Sequence, residues 1–322
     1  MISLLLGNCT DTFFPDQSHD YHKGMSIFFK PPRNAFHEQD FDESLDRLKS
    51  DGVNSLFLTP CFFQKTPRSD SIFSTDATII DENLISAVKM ARSAGFSVGL
   101  KPHIDVLDGE PRHTIDSRNW NRWFRFYRNY IIHYARMAEQ LRVPLLVIGT
   151  ELDNAASRPE FTELIETVRD EFSGEITYAS SYNDFLSLDF WGDLDYVGVN
   201  CWFNLDNGEG EPEQIYESWN HWLNLLSEFG SYHNRPVLIT EAGFRNIEKA
   251  AANPGDWSYT GEADMQLQSE CYAGLLSQMN MFPRIAGVYW WQWELGKVGG
   301  PGNTDYTPRG KPAEEQIRKY WF

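Results

Sequence analysis

PLLVIGTELDN, residues 144–154, is the stretch from which the fold is read. Pro144 to Ile148 form an apolar run, Gly149 and Thr150 follow, and Glu151 ends it. A short run of this kind reads as a strand buried on both faces, as in a parallel sheet. Its terminal carboxylate belongs near the mouth of whatever the strand lines, because desolvating an unpartnered carboxylate costs at least several kcal/mol. PVLITEAGF, residues 236–244, has the same build and delivers Glu241.

Outward from these two, apolar strands alternate with helical patterns along most of the chain. GMSIFF (Gly24–Phe29), VNSLFLTP (Val53–Pro60) and FSVGLKPHIDV (Phe96–Val106) read as the first three strands. The Glu151 stretch is the fourth. EITYASSYND (Glu175–Asp184) and DYVGVNCWF (Asp195–Phe203) are the fifth and sixth. The Glu241 stretch is the seventh and RIAGVYWWQWE (Arg284–Glu294) the eighth. The clearest helix carries Trp123, Tyr127, Tyr130, Ile131, Tyr134, Ala138 and Leu141 on one face at three- and four-residue steps. Asp40 with Glu43, and Ser157 with Glu160 around Pro159, suggest capping boxes, and Asp81 suggests a cap of its own. Further helices are expected around Ile215–Leu226, over Ala263–Met279 and over Pro312–Trp321.

Eight strands alternating with helices, without internal repeats, predict an α/β chain folded as a single (β/α)₈ barrel over residues 1–322. A doubly wound open sheet ranks below it, because no Gly-rich phosphate loop follows the first strand. In such a barrel the C-terminal ends of the strands carry the chemistry, which places Glu151 and Glu241 on one face. Two carboxylates facing each other in this way are what glycoside hydrolysis requires.

Composition narrows the substrate. The 46 acidic against 28 basic residues leave a net charge of −18, which disfavours nucleic acid and anionic membranes and suits a neutral ligand. Aromatics make up 15% of the chain, with 11 Trp, enough to supply sugar-stacking platforms as well as core. Cys9, Cys61, Cys201 and Cys271 form no CxxC pair and read as free thiols. The HDYH stretch (His19–His22) with Asp16 matches no standard metal spacing, so neither metal nor cofactor is expected. Asn8-Cys9-Thr10 fits a glycosylation sequon, a pattern too common to use. The apolar run in MISLLLGNCTD is too short for a signal peptide and lacks a basic flank. We therefore expect a cytoplasmic monomer, with a secreted mature form left open.

Several motifs carry a resemblance. IGTELD (Ile148–Asp153), LITEAGF (Leu238–Phe244) and WWQWE (Trp290–Glu294) are similar to those of the retaining (β/α)₈ hydrolases of clan A. LKPHID (Leu100–Asp105) and YTPRGKPAEE (Tyr306–Glu315) resemble glycoside hydrolase family 113, the β-1,4-mannanases. The resemblance spans the chain from Lys23 onward. It implies Glu151 as acid/base, Glu241 as nucleophile, and mannan, glucomannan or manno-oligosaccharides as substrate. A clan relative acting on β-glucan, an exo-acting β-mannosidase and an inactive polysaccharide-binding barrel are the rivals.

The chain departs from the wider clan at Thr150, where most members carry Asn, and in NCWF, where most carry a Tyr bonded to the nucleophile. Trp202 of that stretch has an indole N–H able to replace the Tyr. Lys101 and His103 alternate on the third strand and are candidate donors to sugar hydroxyls or to Glu151. Asn183 ends the fifth strand and is a further candidate contact. Trp291 and Trp293 share one face of the eighth strand if strict alternation holds, and the family pattern favours Trp291 as the sugar platform. Trp257, with Tyr259, lies in a long loop after the seventh strand and can extend the cleft.

Overall fold

The alternation of apolar runs and amphipathic helices closes into a barrel. The computed structural model describes residues 21–29, 36–206, 208, 210–296 and 298–322. Their elements are β1 (His22–Phe28), α1 (Glu38–Ser50), β2 (Ser55–Thr59), β3 (Cys61–Gln64), α2 (Asp81–Ser93), β4 (Ser97–Leu100) and β5 (His103–Val106). Then come α3 (Trp120–Leu141), β6 (Leu145–Thr150), α4 (Asp153–Ala156), α5 (Pro159–Glu171), β7 (Glu175–Ser181) and β8 (Val197–Asn200). The chain ends with α6 (Pro212–Tyr232), β9 (Val237–Ala242), α7 (Met265–Leu276), β10 (Ile285–Trp293) and α8 (Pro312–Trp321). Strands β1, β2, β4, β6, β7, β8, β9 and β10 neighbour one another in that order and close on β1, all parallel. Between β7 and β8 only two 3-10 turns replace the usual helix.

The expected third strand is two strands. β4 pairs with β2 up to Leu58↔Leu100, and a second parallel ladder, β3 with β5, starts at Cys61↔His103. Pro60 and Pro102 fall between the ladders, and proline has no N–H to continue one. β3 continues ordered structure beyond the expected second strand, which ended at Pro60.

The helices start without the expected caps. His37, Ile80 and Arg158 precede α1, α2 and α5, none with a side-chain cap. Asp40 and Asp81 lie inside the first turns instead, where a carboxylate still favours the helix N-terminus through the dipole. Ser157 donates its hydroxyl to Asn154 O. α3 is capped, by Asn119 Oδ1 accepting from Arg122 N at 3.1 Å, and buries Trp123, Tyr127, Tyr130, Ile131, Tyr134 and Ala138 as the pattern predicts.

Two apolar regions hold the fold. The larger lies between helices and barrel, the smaller inside the barrel, where Phe57, Leu145, Val147, Ala179, Tyr196, Leu238 and Tyr289 meet. Phe57 and Tyr289 stack at 3.6 Å. Above them Lys101 Nζ stands 5.8 Å from the Phe57 ring, so the interior passes from aromatic packing to a polar layer at the C-terminal ends of the strands. His22 opens β1 at the opposite end and bonds Tyr289 through Nδ1 at 2.9 Å. Tyr21 of the HDYH stretch donates its hydroxyl to Met279 Sδ at 2.9 Å, while His19, Asp20, Asp16, the sequon and Cys9 lie outside the described residues. Cys61, Cys201 and Cys271 are buried free thiols. No helix among the described residues is long and apolar enough to cross a membrane.

Candidate active site

Both glutamate-bearing strands are irregular immediately before their glutamates. On β6 three steps, Val147 to Thr150, oppose two on β7, Thr177 to Ala179. On β9 the two steps from Ile239 to Glu241 oppose one step on β8. Leu238 faces the barrel interior. Strict alternation would therefore turn Glu241 outward, and the extra residue in β9 turns it back toward the mouth.

Glu151 takes a left-handed backbone conformation at φ 49°, uncommon for a non-glycine residue and a concentration of local strain. The turn is held on three sides. Glu151 N donates to Ala179 O at 2.9 Å and Leu152 N to the Tyr178 hydroxyl at 2.8 Å. Tyr127 donates its hydroxyl to Ile148 O at 2.7 Å. Gly149 is required here, since a Cβ would lie 2.8 Å from the Tyr127 oxygen and 2.9 Å from the Tyr178 ring.

Glu241 is buried at the end of β9. Its Oε1 accepts from Lys101 Nζ at 2.5 Å and its Oε2 from Trp202 Nε1 at 3.1 Å. Burial pushes the Glu241 carboxyl upward and the charge of Glu151 adds to that, while Lys101 and Arg112 pull it back. Lys101, wholly buried, has its ammonium pushed down by the same desolvation and supported by Glu241. Asn200 links Glu151 to Glu241 by way of Lys101. Its Nδ2 donates to Glu151 Oε1 at 3.0 Å, and its Oδ1 accepts from the Thr240 hydroxyl at 2.8 Å and from Lys101 at 3.3 Å. Lys101 only donates, which settles the orientation of the amide.

A cleft of about 740 Å³ lies over this pair. Glu151, Glu241, Asn183, Trp202, Trp257 and Trp291 all line it, as the sequence reading expects. Trp257 is 65% exposed on the loop after β9. Gly243 lets that loop pass close to Trp291, since a Cβ there would meet Trp291 O at 2.2 Å.

Five expectations are corrected. Lys101 bonds Glu241 rather than Glu151, and is too buried to meet a sugar. His103 is also fully buried, its ring stacked on Trp291 at 5.5 Å. Thr150 does not line the cleft, and its buried Oγ1 has no partner among the described residues. Trp293 does not share the face of Trp291. Between Trp290 and Trp293 β10 takes three steps against two on β1, so alternation fails. Trp290 stacks on Tyr272 of α7 and Trp293 is buried beside the guanidinium groups of Arg47 and Arg309. Tyr259 bonds Glu248 away from this cleft.

The model of Glycoside Hydrolase Family 113 matches residues 25–311. The chain belongs to that family. It is a glycoside hydrolase. Among solved structures it is similar to a family 113 β-1,4-mannanase complex at 24% identity, covering 94% of this chain and 99% of that one, with a TM-score of 0.86. A family 113 β-mannanase from Alicyclobacillus acidocaldarius in complex with ManMIm is 22% identical, with coverage of 94% and 97% and a TM-score of 0.85. A family 5 enzyme variant from Streptomyces cattleya in complex with Manβ1-4GlcNAc is 13% identical, with coverage of 92% and 79% and a TM-score of 0.62. At these identities the likeness is one of fold. No curated protein matches the sequence.

In this family 113 chain three residues of the site, Asn200 beneath the cleft and Arg112 and Asp153 in its lining, escaped the sequence reading. Asn200 lay in NCWF, but nothing along one strand shows what it will bridge. Arg112 sits in a 3-10 turn with no periodic pattern and bonds His103 and Asp105. Asp153 follows Glu151, accepts from the Ser181 hydroxyl at 3.0 Å, and has its carboxyl pushed up to about 7, chiefly by burial. Its place in IGTELD was the only available signal.

Proposed function

We propose that this family 113 hydrolase is an endo-acting β-1,4-mannanase that works by double displacement, with Glu241 as nucleophile and Glu151 as acid/base. The observation that carries the reading is the pair of glutamates at the ends of β6 and β9, linked beneath the cleft through Asn200 on Glu151 and Lys101 on Glu241. Lys101 and Trp202 each occupy one oxygen of Glu241, orienting it and favouring its charged form. That suits attack on the anomeric carbon. Glu151 donates its proton to the departing sugar oxygen, then takes one from the water that releases the glycosyl ester. Glu151 gives and regains the one proton, water supplying it in the second step, and Glu241 is the nucleophile, so these steps call for no cofactor. Trp202, Trp257 and Trp291 line the cleft, and indole rings suit the apolar faces of neutral sugars. The mannanase structures of the same family support the substrate.

Reducing-sugar release across mannan, glucomannan, cellulose and xylan tests the substrate. Mannan is expected to be cut fastest, with viscosity falling early as internal bonds break. Equal rates on cellulose or xylan would remove the mannan assignment. Azide rescue tests the roles. Glu241→Ala with azide should yield a glycosyl azide of inverted configuration, and Glu151→Ala with an activated aryl mannoside and azide one of retained configuration. The opposite pattern would reverse the two glutamates.

A further inference from the structure

The protons of His103 can be assigned from its neighbours. Its Nδ1 lies 2.8 Å from an Arg112 guanidinium nitrogen. A guanidinium only donates, so Nδ1 is the accepting nitrogen of the ring. Burial first, then the charges of Arg112 and Lys101, push the ring well below its ordinary pKa. A neutral ring accepting at Nδ1 carries its one proton on Nε2. That Nε2 is buried, has no hydrogen-bond partner among the described residues, and stands 3.8 Å from Glu241 Oε1, the oxygen held by Lys101.

Everything around the ring resists its turning over. Arg112 is anchored to Asp105 Oδ1 at 2.7 Å, two residues along β5 from His103. The imidazole lies within 10° of parallel to Trp291, and the His103 carbonyl accepts from the Tyr130 hydroxyl at 2.8 Å. A buried N–H left without an acceptor costs about 1–3 kcal/mol. Here that donor stands 3.8 Å from an oxygen of Glu241.

We propose that Arg112 is a positioning residue that holds His103 as the Nε2–H tautomer, so that a neutral donor stands beside Glu241. This rests on Glu241 being the nucleophile. The charged and titratable groups around the ring are Lys101 just after β4, Asp105 of β5, Arg112 of the 3-10 turn that follows, Glu241 of β9, Cys61 of β3, which pairs with His103, and Tyr130 of α3. Lys101 already supplies one full positive charge to Glu241. An imidazolium would add a second, over-stabilise the carboxylate, and be stranded once the ester neutralises Glu241. A neutral N–H shortens its distance to Oε1 while charge is present and relaxes when it is gone. Arg112 acts through the ring, with no need to touch the sugar.

Long-range ¹H–¹⁵N spectra of the histidine rings test this directly, with the His103 signals assigned by their loss in His103→Gln. In the unmodified enzyme His103 should show the Nε2–H pattern, unchanged across the range of about pH 5 to about pH 8 in which an ordinary histidine titrates. In Arg112→Met the ring should become a tautomer mixture or begin to titrate, and kcat should fall on the order of tenfold with KM within about twofold. A His103 that is Nδ1-protonated or titrates in the unmodified enzyme overturns the proposal, whatever the variant does. So does an Arg112→Met enzyme with the tautomer unchanged, or one in which KM alone rises, since Arg112 would then be a sugar contact. The spectra do not depend on the role of Glu241, and azide rescue of Glu241→Ala tests that role by itself.

Discussion

Lys101 shows what one buried charge does to this site. Its ammonium has no exposure and sits on Glu241, so each charge opposes the desolvation of the other. In Lys101→Met the attraction disappears and the volume is roughly kept. The ammonium had favoured the carboxylate, so without it the Glu241 carboxyl rises further. At a given pH a smaller fraction of the nucleophile is then ionised. The acid limb of the kcat/KM profile should therefore move to higher pH, and kcat should fall. A pH–rate profile with an unmoved acid limb would show that Lys101 does not tune Glu241. The sequence identified Lys101 and His103 as a same-side pair, which they are. It could not show that Glu241, 140 positions away, lies opposite them.

At the scale of elements, the site is made by departures from regular strands. β6, β9 and β10 each gain a residue relative to a neighbour just where the chemistry begins. Such bulges re-aim side chains: the strand ends placed Glu151 and Glu241 near the mouth, whereas strict alternation would have turned Glu241 outward and misplaces Trp293. The turn at Glu151 depends on β7 through Tyr178, whose hydroxyl accepts from Leu152 N. Tyr178→Phe leaves that buried N–H unpaired, which should cost about 1–3 kcal/mol. Urea unfolding should show a lowered midpoint, and kcat should drop while KM changes little, because the acid/base loses its anchor. Unchanged kcat would mean that the backbone bonds hold Glu151 without Tyr178.

For the whole molecule, closure of the barrel is what brings together side chains separated by 90 positions in sequence. The cleft is rich in carboxyl groups, with Asp105, Asp153, Asp256 and Asp305 around the two glutamates, in a chain of net charge −18. Such a field repels anionic ligands and is indifferent to neutral ones. KM for a neutral manno-oligosaccharide should therefore be the same at low and high ionic strength, whereas a carboxymethylated polysaccharide should bind poorly and improve with salt. A salt-dependent KM for the neutral substrate would point to a charged step in binding that this picture lacks.

Apolar runs, their alternation with helical faces and the carboxylates that end two of them determined the barrel, its active face and both glutamates. These are local signals: burial on both faces dictates an unbroken apolar strand, and a carboxylate ends it because it cannot be buried unpartnered. Tertiary structure alone decided the Lys101–Glu241 pair, the Asn200 bridge, the Arg112–His103 contact and the separation of Trp291 from Trp293. Each of these depends on register between neighbouring strands, on a bulge that shifts it, or on atoms brought face to face across the barrel. A single strand's pattern carries parity and burial, but not the identity of what stands opposite.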